Sequence, residues 1–137
     1  MNKTKHNRRL SVLINYASMI IILVLFYIVR MGILKTVFLA FEVIPLIAVI
    51  LSFRHAFVKT GIWKMTHASF KKLDEREVQV VFKATSISYS LFAIAILVII
   101  YIFILSGLGQ IDALLAVSLL YFAHILPASI IAWNEKN

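Results

Sequence analysis

The chain has 137 residues, of which 62% are hydrophobic and 15% charged, and its mean hydropathy is +0.96; soluble domains of this size are about half apolar and a quarter charged, so a soluble globular fold is excluded. It contains no cysteine, which removes disulfides, thiolate metal ligands and cysteine nucleophiles. The formal net charge of +8 invites a nucleic-acid reading, yet no nucleic-acid fold motif accompanies it, and the basic residues lie where membrane topology requires them.

Four stretches reach the roughly 20 apolar residues that a helix needs to cross a hydrocarbon core. They are 10–29, 33–53, 84–105 and 111–133. An unpaired backbone amide or carbonyl is costly in hydrocarbon, and none of the four alternates as a barrel strand does, so each is expected to be helical. The sequence therefore predicts an all-α fold: a single polytopic membrane domain built as a four-helix bundle.

The first stretch begins like a signal peptide, with Lys3, Lys5, Arg8 and Arg9 ahead of it. Its apolar run is too long for a signal h-region, and no small-residue cleavage site precedes Arg30, so it reads as a retained helix. Short links follow the first and third stretches, whereas 54–83 forms a long connection. Twelve of the 14 basic residues fall in the N-terminal tail, the long connection with its boundaries, and the C-terminal tail, leaving Arg30 and Lys35 on the other side. The positive-inside rule then places both termini and the long connection in the cytoplasm.

The second stretch carries Glu42 and the fourth carries His124. Glu42 lies twelve residues before Arg54 and His124 ten before Asn134, about 15 to 18 Å from the boundary at 1.5 Å per residue. Ionisable groups at that depth cost a few kcal/mol and are expected to face the bundle interior, which makes each a functional-site candidate. Each stands three residues before a proline, Pro45 or Pro127. Those prolines are expected to kink their helices and to free the carbonyls of Phe41 and Ala123 for polar side chains.

The hairpins share further features: Asn15-Tyr16-Ala17 against Ser88-Tyr89-Ser90, Tyr27-Ile28 against Tyr101-Ile102, and Gly32 against Gly107. These matches suggest two tandem hairpins related by a pseudo-two-fold axis along the membrane normal, which would bring Glu42 and His124 face to face. Such a pair is either a proton site or hydrogen-bonded glue between helices, worth about 0.6 and up to 2 kcal/mol per bond. Polar stripes of Ser11, Asn15 and Ser18, and of Ser86 and Ser90, stop near mid-depth, which favours glue over a conduction path. Small pairs four apart, Ala48 with Ser52 and Ala128 with Ala132, suit close helix contact.

Within the connection, residues 57–70 interleave Phe57, Ile62, Trp63, Met65 and Phe70 with Lys59, Lys64, His67 and Lys71. One reading is an interfacial helix whose aromatics, Trp63 among them, enter the headgroup layer while Lys64 and Lys71 meet anionic lipid headgroups. The other is a solvated connector tacked to the bundle by its aromatics. Trp133 is placed to anchor the fourth helix at the interface, as Tyr27 and Tyr101 are in theirs. Asp74 and Glu77 have the spacing of a capping box, with Leu73 and Val78 as its hydrophobic staple, so the third helix starts near Glu75, ahead of its membrane segment.

No catalytic motif emerges. Gly107-Leu108-Gly109 is a turn rather than a dinucleotide loop, no zincin or serine-hydrolase signature occurs, and His55 with His67 is a weak metal signal. No cofactor and no metal are assigned. Thr60-Gly61-Ile62-Trp63-Lys64-Met65-Thr66-His67, Leu73-Asp74-Glu75-Arg76-Glu77, and His124-Ile125-Leu126-Pro127 running to Ala132-Trp133 resemble a group of uncharacterised small four-helix bacterial integral membrane proteins. The resemblance covers the second half of the chain. It implies a bacterial inner-membrane location and carries no activity and no site residues. The expected function is that of a non-catalytic accessory, regulatory or structural subunit, with a membrane-protein partner or a second copy of the chain as its company. The alternative is a small oligomeric transporter or a ligand or proton sensor built on Glu42 and His124.

Overall fold

The computed structural model describes residues 3–134, whose regular elements are all helical, without a strand. In chain order come α1 (Lys3–Arg30), a 3-10 run (Thr36–Glu42), α2 (Val43–Phe53), a π-helical turn (Arg54–Val58), the short α3 (Ile62–Thr66), a 3-10 turn (Phe70–Lys72), α4 (Glu75–Ser106) and α5 (Ala113–Asn134). Four segments are long and apolar enough to cross a membrane: Lys5–Arg30, Thr36–Val58, Glu75–Ser106 and Ala113–Asn134. The chain is thus a membrane protein with four transmembrane helices. It divides into two compact units, one ending at Ile62 and the other spanning Trp63–Asn134. In the first unit α1 packs on α2, and in the second α4 packs on α5.

Helix ends follow local chemistry. α1 stops in a Schellman turn, where Gly32 N–H donates to Val29 O at 2.9 Å and Ile33 N–H to Ile28 O at 3.1 Å, with Gly32 at φ 76°. That left-handed conformation suits glycine because it has no Cβ. α4 opens on the expected capping box: Asp74 Oδ1 accepts from Glu77 N–H at 2.7 Å, and Asp74 N–H donates to Glu77 Oε2 at 3.1 Å. α5 has a cap that the sequence reading passed over, Asp112 Oδ1 accepting from Leu115 N–H at 2.8 Å. An acidic residue immediately before an apolar run is the signal that would have located it.

The second transmembrane segment differs from a plain α-helix over 33–53. It enters as a seven-residue 3-10 run and leaves as a π turn that carries the helix on to Val58. Pro45 explains the entry. Its missing N–H deprives the Phe41 carbonyl of an α-helical donor, and at the Val43 junction backbone N–H groups bond the Ala40 and Phe41 carbonyls instead. The freed acceptor is met by tighter backbone bonding, where a polar side chain was expected. Pro127, in contrast, lies inside α5, which is helical across it.

A continuous helix over 57–70 does not form. Phe57 belongs to the π turn, Gly61 breaks the chain at φ 74°, and only Ile62–Thr66 is α-helical before the 3-10 turn at Phe70–Lys72. α4, at 32 residues, exceeds the roughly 20 needed for a crossing, and its surplus lies at the charged Glu75 end.

Apolar burial is uneven along the helices. In α5 it is concentrated in the C-terminal half, where Ile125, Ala128, Ile131 and Ala132 are buried, and in α4 it lies near the start, at Val81 and Ala84. Elsewhere long apolar side chains such as Ile20, Leu46, Leu97 and Leu105 are exposed, as expected of a lipid-facing surface.

Candidate functional sites

Glu42 ends the 3-10 run and stands at the N-terminus of α2 without capping it. The residue is half-buried, and its Oε1 is buried with no hydrogen-bond partner. Sequence depth singles this residue out, and the missing partner sharpens the interest, because an unsatisfied buried carboxyl oxygen is costly.

Toward the Arg54 end of the first unit, Asn15 is committed to helix pairing. Asn15 is fully buried; its Nδ2 donates to Val49 O and to Ser52 Oγ, each at 3.0 Å. Ser52 Oγ in turn donates to Val49 O at 3.0 Å. The small residue at position 52, read as a close-contact site, also acts as a polar partner. One turn nearer the start of α1, Ser11 Oγ lies 2.8 Å from His55 Nδ1 and 3.0 Å from Asn7 O. A Ser-His contact resembles a nucleophile and its base, but a hydroxyl has one proton and the Asn7 carbonyl competes for it.

The second unit holds His124. Its side chain is exposed, whereas the sequence reading has it facing the interior. Nδ1 lies 2.9 Å from Leu120 O, one turn back on α5. The ring lies parallel to that of His67, with centroids 6.3 Å apart and planes 8° apart, and His67 is itself packed on Trp63 at 3.9 Å. His67 Nδ1 lies 3.0 Å from both Trp63 O and Thr66 Oγ1. His124 therefore meets the polar connection. Since it stands ten residues before Asn134, the connection reaches about 15 Å along α5. That contact explains how an imidazole is tolerated on an exposed helix face: its donor is satisfied within the helix and one ring face meets another aromatic ring.

Glu42 and His124 belong to different compact units. Trp63 is half-buried through its ring contact, while Lys64 and Lys71 are exposed and Trp133 is 40% exposed. In α4 the buried serine is Ser88, bonded to Ala84 O at 2.7 Å, whereas Ser86 and Ser90 are exposed. Ser88 shares a face with Val81 and Ala84 at spacings of three and four, the helix period that decides burial. In α5 the buried Ser129 bonds Ile125 O at 2.8 Å in the same way. Among the described residues no group of three or more His, Cys, Asp or Glu side chains could hold a metal ion. In comparison with known proteins, no family model, no curated protein and no solved structure matches the chain.

Proposed function

We propose that this chain is a non-catalytic accessory or regulatory subunit of a membrane assembly. In this reading the four helices form a bundle in a bacterial inner membrane, with both termini and the long connection on the cytoplasmic side. One observation carries the proposal: the buried polar side chains Asn15, Ser52, Ser88 and Ser129 all bond backbone carbonyls or one another. Asn15 ties α1 to α2 in this way, while Ser52, Ser88 and Ser129 turn their hydroxyls back onto their own helices, and polar groups so consumed do not line a route for solutes.

The connection is the surface through which such a subunit would meet its partner, because Lys64, Lys71 and Lys72 are exposed there and Phe70 is 60% exposed beside them. Gentle detergent extraction followed by identification of co-purifying proteins tests the reading. A stoichiometric membrane-protein partner that is lost when 57–70 is replaced by a neutral linker supports it. A chain that purifies alone and active in flux assays overturns it.

A second reading, a proton or ligand sensor or a small oligomeric transporter, is favoured by the unpartnered Oε1 of Glu42. Proton- or ion-dependent flux in proteoliposomes that disappears in Glu42→Gln would establish it, and identical behaviour of the two proteins would leave the accessory role. The pseudo-two-fold relation between hairpins draws support from the positive φ of Gly32 and Gly107. The unlike settings of Pro45 and Pro127 weigh against close copies, and superposing α1–α2 on α4–α5 decides the matter.

A further inference from the structure

At the end of α2 in the first unit lies a pocket of about 580 Å³ whose lining combines two kinds of surface. Arg54, His55, Lys59 and Ser11 supply charge and hydrogen-bonding groups, while Ile14 and Leu51 supply apolar wall. The π turn assembles the cationic part. Lys59 N–H bonds Arg54 O at 2.9 Å, an i→i+5 bond that sets residue 59 one turn beyond residue 54. In an α-helix, residues five apart diverge by about 140°. π turns are uncommon and tend to occur at functional positions, and here the local effect is to bring two like charges to one pocket. Arg54 and Lys59 are both exposed. The only carboxylate among the described residues of the first unit is Glu42, twelve residues before Arg54, about 18 Å along the helix. Two exposed cations gathered without a nearby carboxylate of their own unit leave the pocket positively charged and open to an external anion.

The hydrogen-bonding groups narrow the choice of anion. Ser11 Oγ donates to Asn7 O at 3.0 Å and lies 2.8 Å from His55 Nδ1, so the imidazole is held beside a lining that already contains a guanidinium and an ammonium. Planar forked donors and a point charge together suit tetrahedral phosphate oxygens. The apolar wall suits hydrocarbon attached to that phosphate, and the pocket begins where the apolar run of α2 gives way to Arg54.

We propose that this pocket is a phosphate-binding site: Arg54 and Lys59 neutralise the phosphate, Ser11 and His55 form the polar side of the lining, and Ile14 with Leu51 flank the group it is attached to. The phosphate comes either from an anionic lipid headgroup or from a soluble phosphate compound, and the site is independent of the accessory role proposed above.

Native mass spectrometry of the full chain in neutral detergent tests the site, with phosphatidylglycerol and phosphatidylcholine offered in equal amounts. The protein is expected to retain phosphatidylglycerol preferentially. In the double variant Arg54→Gln/Lys59→Gln that preference should fall by about thirtyfold, from the loss of two surface cations. Lys64→Gln/Lys71→Gln removes the same charge from the connection and is expected to keep it. Equal losses in both double variants, or no loss in the first, overturn the proposal, and circular dichroism of each variant confirms that its helices are intact. A large excess of inorganic phosphate then separates the sources: displacement of bound lipid identifies a site that accepts soluble phosphate, and undisturbed lipid identifies a headgroup site. If wild-type protein shows neither lipid preference nor phosphate binding, the pocket is not a phosphate site.

Discussion

His67 and His124 lie with ring planes 8° apart and centroids 6.3 Å apart, although one belongs to the connection and the other to the middle of α5. Each imidazole places Nδ1 within hydrogen-bonding distance of the carbonyl four residues earlier, Trp63 O or Leu120 O. That arrangement fixes both ring orientations before they meet. Trp63 lies 3.9 Å from His67, so His67 has two aromatic neighbours.

A double-mutant cycle measures what this stack contributes. Aromatic pairs at such separations are worth about 0.5 to 1.5 kcal/mol beyond area burial. His67→Ala should cost more than His124→Ala, because it removes two ring contacts where the other removes one. The coupling between the two substitutions, read from reversible unfolding in mixed micelles, is expected at about 0.5 to 1 kcal/mol. Additivity to within about 0.3 kcal/mol would show that the rings are neighbours without energetic consequence.

Asn15 offers a test of polar glue in the first unit. Leucine has nearly the same shape as asparagine and no donor, so Asn15→Leu removes the bonds to Val49 O and Ser52 Oγ with little change in volume. A loss of about 1 kcal/mol is expected, within the range of interhelical hydrogen bonds in membranes. Ser52→Ala should cost less, since Asn15 keeps its bond to Val49 O. If Asn15→Leu unfolds at the same denaturant activity as the unmodified protein, the α1–α2 pair is held by packing alone.

At the start of α4, Asp74→Ala removes the acceptor for Glu77 N–H and should destabilise the helix by about 1 kcal/mol. Asp74→Ser, which retains a capping oxygen, is expected to recover most of that. Glu77→Ala should be milder, because the bond it removes is the longer one, at 3.1 Å. Hydrogen exchange at the amides of 75–78 reads the effect directly: faster exchange in Asp74→Ala with no change elsewhere in α4 is the expected pattern. Uniformly faster exchange along the helix would instead mean that the cap supports its packing as a whole.

How far each feature was legible in the sequence depends on the range of the interactions that make it. The four spans follow from composition and the α4 cap from the Asp74–Glu77 spacing, because a helix end is decided by residues three or four apart. Gly32 and Gly107 mark turns for the same local reason. The 3-10 entry into α2 was half visible: Pro45 announces a freed carbonyl, but whether backbone or side chain meets it depends on the neighbouring backbone. His67 offers only a weak metal signal in the sequence, because nothing in a 57-residue separation from His124 reveals that the connection reaches along α5. The pocket was hidden for a similar reason. Arg54 and Lys59 satisfied the positive-inside rule, and only the π turn sets them one turn apart.

Gly61 lies three residues beyond that π turn at φ 74°, and a Cβ added there would meet nothing within 4 Å. Any cost of Gly61→Ala is therefore conformational, since no neighbour has to move. L residues pay about 1 to 2 kcal/mol for a left-handed backbone, and asparagine tolerates it better than most. The expected order of stability is thus glycine, then asparagine, then alanine, with Gly61→Ala about 1 kcal/mol below the unmodified protein. Ordinary unfolding measurements check that order. Because Gly61 N–H bonds Val58 O at 3.1 Å and Thr60 Oγ1 bonds Ala56 O at 2.7 Å, relaxation toward an α-helical continuation would also disturb the π turn. Gly61→Ala is therefore expected to weaken phosphatidylglycerol retention along with stability, although residue 61 does not line the pocket. Loss of stability with lipid retention unchanged would show that the turn holds its shape without the glycine break.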